Sequence, residues 1–479
     1  MARTTVVDVL VDGLARAGTA RIFAAPGAPV TLRAAAQRRA LPIVEAPDAM
    51  AAGVLAAVSG ELGEGPGAAL AGLDDTPGLV QGIAHGQRDR APLIVVTEGG
   101  ANAGLLAPVV KASVIVEAAS AAHWIAHAAQ LAMTDPRGPV HVVLGDDVAG
   151  EPALPVATSC RPAPLPPPAP ASLDAFGAAL AAASRPLLIA GLECGPDDAR
   201  WIRSFAEALP APVLVTPKGK GALADPHPLA LGALVAEHPA LGRADLVILL
   251  GVDAGELPPG TVPRGLRVAR IGRAAWPGGT FVAEALGDLA LVIEELAPHV
   301  RARPAADWDV AELDRIKRAV TRAATATPAG RLVALARDAT PAGTLATGDV
   351  AALAAWQAIG PRETLSPLGA VTPGYAVLAA MAAQLAHPDR RVVAFTNAAG
   401  LVAGGQALSR AAALGLPIIV VVLDVPDAGP GGWKEVGGVA PLVCRGEPDF
   451  ALHFARAFLA GRPMVIVVEA GHTNPEGQQ

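Results

Sequence analysis

Arg391 to Pro426 reads RVVAFTNAAGLVAGGQALSRAAALGLPIIVVVLDVP. The run VVAFT is short, apolar and β-branched, as expected of a buried parallel strand. A turn of small residues, Asn397-Ala398-Ala399-Gly400, follows it. A helix is expected from Val402 to Leu414, then a Gly-Leu-Pro break, then a second buried strand from Ile418 to Leu423 that runs into Asp424-Val425-Pro426. Strand, helix and strand make a βαβ unit, and in open parallel sheets ligands sit beyond the carboxyl ends of the strands.

The stretch resembles the diphosphate-binding domain of thiamine diphosphate enzymes of the acetolactate synthase, benzoylformate decarboxylase and pyruvate decarboxylase superfamily. In that family the first strand ends in Gly-Asp-Gly and the second in Asn-Asn, and these hold the Mg²⁺ that anchors the cofactor's diphosphate. Aligned without gaps, Gly-Asp-Gly falls on Asn397-Ala398-Ala399 and Asn-Asn on Asp424-Val425. The metal positions are thus Ala398 and Val425, whose side chains offer Mg²⁺ no lone pair. Asp424 and Asp427 are the nearby carboxylates available as substitutes.

Composition bounds the rest. The 479 residues suffice for about three domains of ordinary size. A formal charge of −7 without a basic run argues against nucleic acid or anionic membrane as partner. No apolar stretch reaches the roughly 20 residues that span a bilayer, and no basic start leads into an apolar leader, so a soluble cytoplasmic protein is expected. The abundance of Ala, Leu and Val suits sheets buried on both faces. Three cysteines without CxxC spacing fit reduced thiols, and the ten histidines show no HExxH pair.

From the N-terminus, Thr4 to Gly18 patterns as a helix and Arg21 to Ala25 as a strand entering Pro26-Gly27, similar to the family's turn at the start of its pyrimidine-binding domain. Next, Ile43-Val44-Glu45 leads into a helix rich in small residues that closes on Ser59-Gly60. In the family, a glutamate at that strand end bonds the aminopyrimidine ring and drives formation of the ylid. The resemblance therefore makes Glu45 the catalytic carboxyl; the plainer alternative is that Glu45 caps the first turn of the following helix. Asp74 and Asp75 enter a turn that faces cofactor or substrate in the family, either to repel a 2-oxo acid or as solvated turn residues.

Glu151 to Ala171 is dense in proline and reads as a stiff linker. Pro186–Ala190, Pro212–Thr216 and Asp245–Gly251 are buried-strand runs of a middle domain like that which holds FAD in acetolactate synthases. No GxGxxG occurs, so this domain is read as structural, without FAD. Val371-Thr372-Pro373 falls where the family places a bulky side chain under the cofactor and a carbonyl that accepts from it; proline's fixed φ and missing N–H alter that path. Beyond a helix near Pro448 to Leu459 the strand Pro463 to Glu469 follows at once, so one helix–strand step is expected to be missing.

The fold expected is α/β, with three doubly wound parallel-sheet domains. They are pyrimidine-binding (1–150), middle (172–300) and diphosphate-binding (331–479), joined by linkers at 151–171 and 301–330. The resemblance implies a homodimer or homotetramer in which Glu45 of one subunit faces Asn397 to Gly400 of another, with Pro26, Gly27, Val371, Thr372, Pro373 and 397–400 around thiamine diphosphate. Two functions follow. One is a decarboxylase or carboligase acting on a small 2-oxo acid through an altered metal site. The other is a non-catalytic or repurposed homologue, a regulatory or binding subunit that does not hold Mg²⁺ and thiamine diphosphate.

Overall fold

A computed structural model of the chain describes residues 4–99, 103–145, 147–302, 306–369, 372–425 and 433–469. It contains three six-stranded sheets, and every strand pair recorded within them is parallel. The first sheet comprises β1 (Ile22–Ala24), β2 (Ile43–Glu45), β3 (Gly67–Ala71), β4 (Leu93–Glu98), β5 (Ala112–Val116) and β6 (Pro139–Leu144), in the order β2-β1-β3-β4-β6-β5. The second comprises β7 (Pro186–Ala190), β8 (Val213–Val215), β9 (Ala230–Ala233), β10 (Leu246–Leu250), β11 (Arg267–Gly272) and β12 (Ala283–Leu286), ordered β12-β11-β10-β7-β8-β9. The third comprises β13 (Leu345–Gly348), β14 (Thr364–Leu365), β15 (Val392–Thr396), β16 (Ile419–Val425), β17 (Leu442–Cys444) and β18 (Met464–Glu469), ordered β14-β13-β15-β16-β18-β17. These are the three doubly wound α/β sheets expected from the sequence. The chain divides into two compact units, Met1–Ala163 with Gly369–Gln479, and Pro164–Leu368.

Parallel strands covered on both faces must be apolar on both faces. In the middle sheet Leu188 and Ala190 of β7 enter one core with Leu246, Ile248 and Leu250 of β10. Leu187 and Ile189 enter a second core with Val247 and Leu249. The alternation is that of a pleated strand, with no polar face left over. The first sheet packs Ile22, Ala24, Leu70, Ile94 and Val142 against the helices Val6–Ala17 and Ala121–Met133. Ala49–Leu62 lies against β3 and β4 and packs on Thr76–Arg88. Gly60 explains how that helix ends so close to the sheet, because a Cβ there would stand 2.1 Å from the Pro92 carbonyl oxygen.

Among the described residues no helix is long and apolar enough to cross a membrane. All three cysteines are buried and free. Burial pushes the Cys444 thiol up to about 12 and holds those of Cys194 and Cys160 above their ordinary value, so none is poised as a thiolate.

The stretch from Arg391 folds as the expected βαβ unit, with β15 and β16 paired from Val393↔Ile419 to Thr396↔Val422. Its single expected helix is instead two, Ala398–Ala403 and Gly405–Ala413, broken at Gly404. The break lets Gly404 pass against Gly374, where a Cβ would stand 2.8 Å from the Gly404 nitrogen. Near the C-terminus the short edge strand β17, pairing with β18, escaped the sequence reading. With it the third sheet has six strands like the other two.

Candidate functional site

Two sets of strand ends carry the residues singled out by sequence. At the first sheet, β2 ends on Glu45, and Pro26 and Gly27 form an exposed turn just after β1. The following helix is capped by Asp48, whose carboxylate accepts from the Ala51 amide at 2.7 Å. Glu45 therefore has no capping duty, and the plainer alternative for it falls away. Asp48→Ala is expected to cost about 1 kcal/mol, the usual worth of such a cap, read as a lowered denaturation midpoint.

Glu45 is instead ion-paired with Arg33 on the helix Val30–Arg38, the Nη1 of Arg33 donating to its Oε1. The rest of that guanidinium is tied to backbone. Nε donates to the Ala28 carbonyl at 3.1 Å, and Nη2 to those of Ala25 at 2.6 Å and Pro26 at 3.4 Å. Asp75, half-buried, braces the same turn by accepting from the amides of Gly27 at 3.0 Å and Gly72 at 3.3 Å. Its neighbour Asp74 is exposed. Asp75 thus has a structural task that the sequence reading did not assign, and Arg33, bonded to the candidate carboxyl Glu45, is a residue that reading passed over. The available signal was that Arg33 sits on the helix entered directly from the Pro26-Gly27 turn.

At the third sheet, Asn397 follows β15 and caps Ala398–Ala403, its Oδ1 accepting from the Gly400 amide at 2.9 Å. Ala398 and Ala399 make the first turn of that helix, and Gly400 is buried within it. Thr372 is buried and Pro373 exposed; together they lead into Gly374 and the helix Tyr375–Ala386. Gly374 itself lies against Ala403 and Gly404, at the end of the Ala398–Ala403 helix. The helix Tyr375–Ala386 packs on Ala49–Leu62, and one compact unit holds both sets of strand ends.

Val371 and Asp427 lie outside the described residues. For Asp424 and Val425 only the backbone of β16 is described, and there Val425 pairs with Glu469 after a bulge. Glu469, buried at the end of β18, faces the Arg445 guanidinium at 3.4 Å. Among the described residues no group of three His, Cys, Asp or Glu is arranged to hold a metal ion.

The middle sheet carries a third group of buried charges at its strand ends. The turn after β7, Gly191 to Gly195, is where a dinucleotide phosphate would need free amides. Its amides are already engaged. Leu192 donates to Glu256 Oε2 at 2.8 Å and Gly195 to Asp198 Oδ2 at 2.8 Å. Glu193 and Cys194 donate to the carbonyls of Gly251 and Gly191. Glu256 also accepts from the Asp253 amide at 3.0 Å and the Thr216 hydroxyl at 2.5 Å. Burial pushes its carboxyl up to about 7 despite these three donors. Thr216 closes Pro212–Thr216, one of the strand runs expected in the middle domain. Glu256, its partner, carried no motif.

Comparison with known proteins bears on these geometries. Residues 173–296 match the thiamine pyrophosphate enzyme central domain, and 346–424 the thiamine pyrophosphate enzyme C-terminal TPP binding domain. An acetolactate synthase large subunit from Parasynechococcus marenigrum (strain WH8102) is 30% identical over 474 residues, covering 87% of this chain and 75% of that protein. The chain belongs to the thiamine diphosphate enzyme superfamily. The acetolactate synthase isozyme 1 large subunit of Escherichia coli (strain K12) is 27% identical over 276 residues, 53% of this chain and 48% of its own length. The X-ray structure of a proposed thiamin diphosphate-dependent enzyme isolated from Mycobacterium smegmatis superposes with a TM-score of 0.77 at 20% identity, over 98% of this chain and all of that one. At that identity the superposition establishes the three-sheet fold of this superfamily member and nothing finer.

Proposed function

We propose that this acetolactate synthase-like chain keeps the three-domain body of its superfamily while working as a non-catalytic or repurposed homologue, a binding or regulatory subunit. The observation that carries the reading is the Asn397 cap. Where the family aims a carboxylate at Mg²⁺, the chain has the methyl of Ala398, and the helix's Gly400 amide is already taken by Asn397. Magnesium coordination calls for one or two carboxylates with phosphate oxygens and water, and among the described residues no such set is gathered here. At the ring end the fit is also poor, because Glu45 is bonded to a guanidinium. In the middle domain, carboxylates fill the glycine turn, which supports a structural role without FAD.

The reading is tested by incubating purified protein with thiamine diphosphate, Mg²⁺ and a panel of small 2-oxo acids, and following carbon dioxide release and acyloin formation. Turnover indistinguishable from buffer is expected; sustained turnover removed by chelator would overturn it. One observation favours the second reading, a 2-oxo acid decarboxylase or carboligase with an altered metal site. Glu45 stands at its strand end with 42% of its side chain exposed and no capping role, as a carboxyl reserved for a ring nitrogen would. On either reading the family likeness supports a head-to-tail homo-oligomer with sites at its interfaces, and the composition supports a cytoplasmic location.

A further inference from the structure

We infer that Arg33 is a latch on Glu45, holding its carboxylate as the partner of a guanidinium and so closing the ring end of the first sheet to an aminopyrimidine. The inference deepens the reading above and rests on it for one point only, that the ends of β1 and β2 are where such a ring would bind.

The geometry separates this pair from an ordinary surface salt bridge. Exposed ion pairs contribute little because two long side chains must be ordered to make them. Arg33 is ordered already. Three carbonyls of one short turn, those of Ala25, Pro26 and Ala28, receive its Nε and Nη2, and the turn itself is braced by Asp75. With the fork pinned this way, Nη1 is left pointing at Glu45. Only arginine has donors enough, in a planar array, to serve a turn and a carboxylate together; lysine has a single nitrogen. The side chains of Arg33 and Glu45 are 20% and 42% exposed, so an incoming molecule can reach the carboxylate but meets the guanidinium beside it.

That neighbour opposes the chemistry a ring nitrogen needs. An aminopyrimidine ring nitrogen has a lone pair and must share a proton with the carboxyl to pair with it, and the ring gains positive character as it does so, next to a fixed positive charge. Like charges at such separation disfavour each other. The latch therefore selects against heterocycles whose ring nitrogen must share a proton with the carboxyl, and its release would restore a free carboxylate at the strand end.

Thiamine without its diphosphate is the probe, since it reports on the ring end and needs no metal. Binding is followed by calorimetry on the full-length protein. Arg33→Met is expected to bind thiamine at least about tenfold more tightly than the native chain, and Arg33→Met with Glu45→Gln is expected to lose that gain. Arg33→Gln keeps an amide donor for the turn carbonyls while removing the charge, and stands in if the methionine variant does not fold. A folded Arg33→Met or Arg33→Gln protein that binds thiamine no better than the native chain overturns the latch. So does a gain that persists without Glu45. Either outcome leaves the argument from Ala398 and the Asn397 cap standing, and the proposed function is overturned separately, by chelator-sensitive turnover of a 2-oxo acid or Mg²⁺-dependent cofactor binding in the native chain.

Discussion

A chain carrying Ala398→Asp, Val425→Asn and Arg33→Met is expected to acquire Mg²⁺-dependent affinity for thiamine diphosphate, at least roughly 100-fold above the native protein. Each substitution supplies a separate missing element. Aspartate at 398 places a carboxylate in the first turn of the Ala398–Ala403 helix, beside β15, where negative charge is also favoured by the helix dipole. Asparagine at 425 adds a neutral oxygen at the end of β16. Methionine at 33 frees Glu45. The Asn397 cap on Gly400 is untouched, so the helix should keep its start. The pair at 398 and 425 alone is expected to gain less, because a restored metal clamp still leaves the ring carboxylate engaged. Calorimetry with and without chelator reads the difference. No gain in the triple variant would place the fault at Val371 and Pro373, whose proline fixes φ and removes an N–H from the path beneath the cofactor.

Raising the pH from about 5 to 8 is expected to weaken the unit Pro164–Leu368, and Glu256 is the cause. Its folded value of about 7 lies above the 4.5 of a free glutamate. Between those two values the folded state holds a proton that the unfolded chain has released. Folding is therefore favoured at the acid end, and the advantage disappears as pH rises through about 7. The full loss is on the order of 3 kcal/mol, a ceiling set by the size of the shift. Glu256→Gln keeps an oxygen for the Leu192 and Asp253 amides and should flatten the dependence. His141 in the other unit has the opposite sign. Buried between Thr97 at 2.8 Å and Ser113 at 3.2 Å, its imidazole is pushed down by burial to about 4, so that unit weakens as pH falls below 6.5. Hydrogen exchange resolved by segment should show β7 and β10 losing protection toward high pH and β4 and β6 toward low pH. Parallel changes in both units would contradict the assignment.

What could be read from sequence followed the strength of the local pattern. Val392–Thr396 and Pro186–Ala190 are short runs of apolar residues bounded by turns, and each folded as the strand expected. The edge strand β17 was missed because three residues, Leu442 to Cys444, make too short a run to show a period. The break at Gly404 was missed because it comes from a distant contact with Gly374, which no local spacing records. The site divided in the same way. The place of Glu45 at a strand end ahead of a small-residue helix was legible, and so were the places of Ala398 and Val425 beyond β15 and at the end of β16. Arg33, Asp75 and Glu256 were not, since what each does is fixed by carbonyls and amides brought close only by folding.

The most direct trial of the central claim is titration calorimetry of the native, full-length protein with thiamine diphosphate in the presence of Mg²⁺. No metal-dependent heat is expected up to millimolar cofactor. Saturable heat at micromolar cofactor, abolished by chelating the magnesium, would contradict the account.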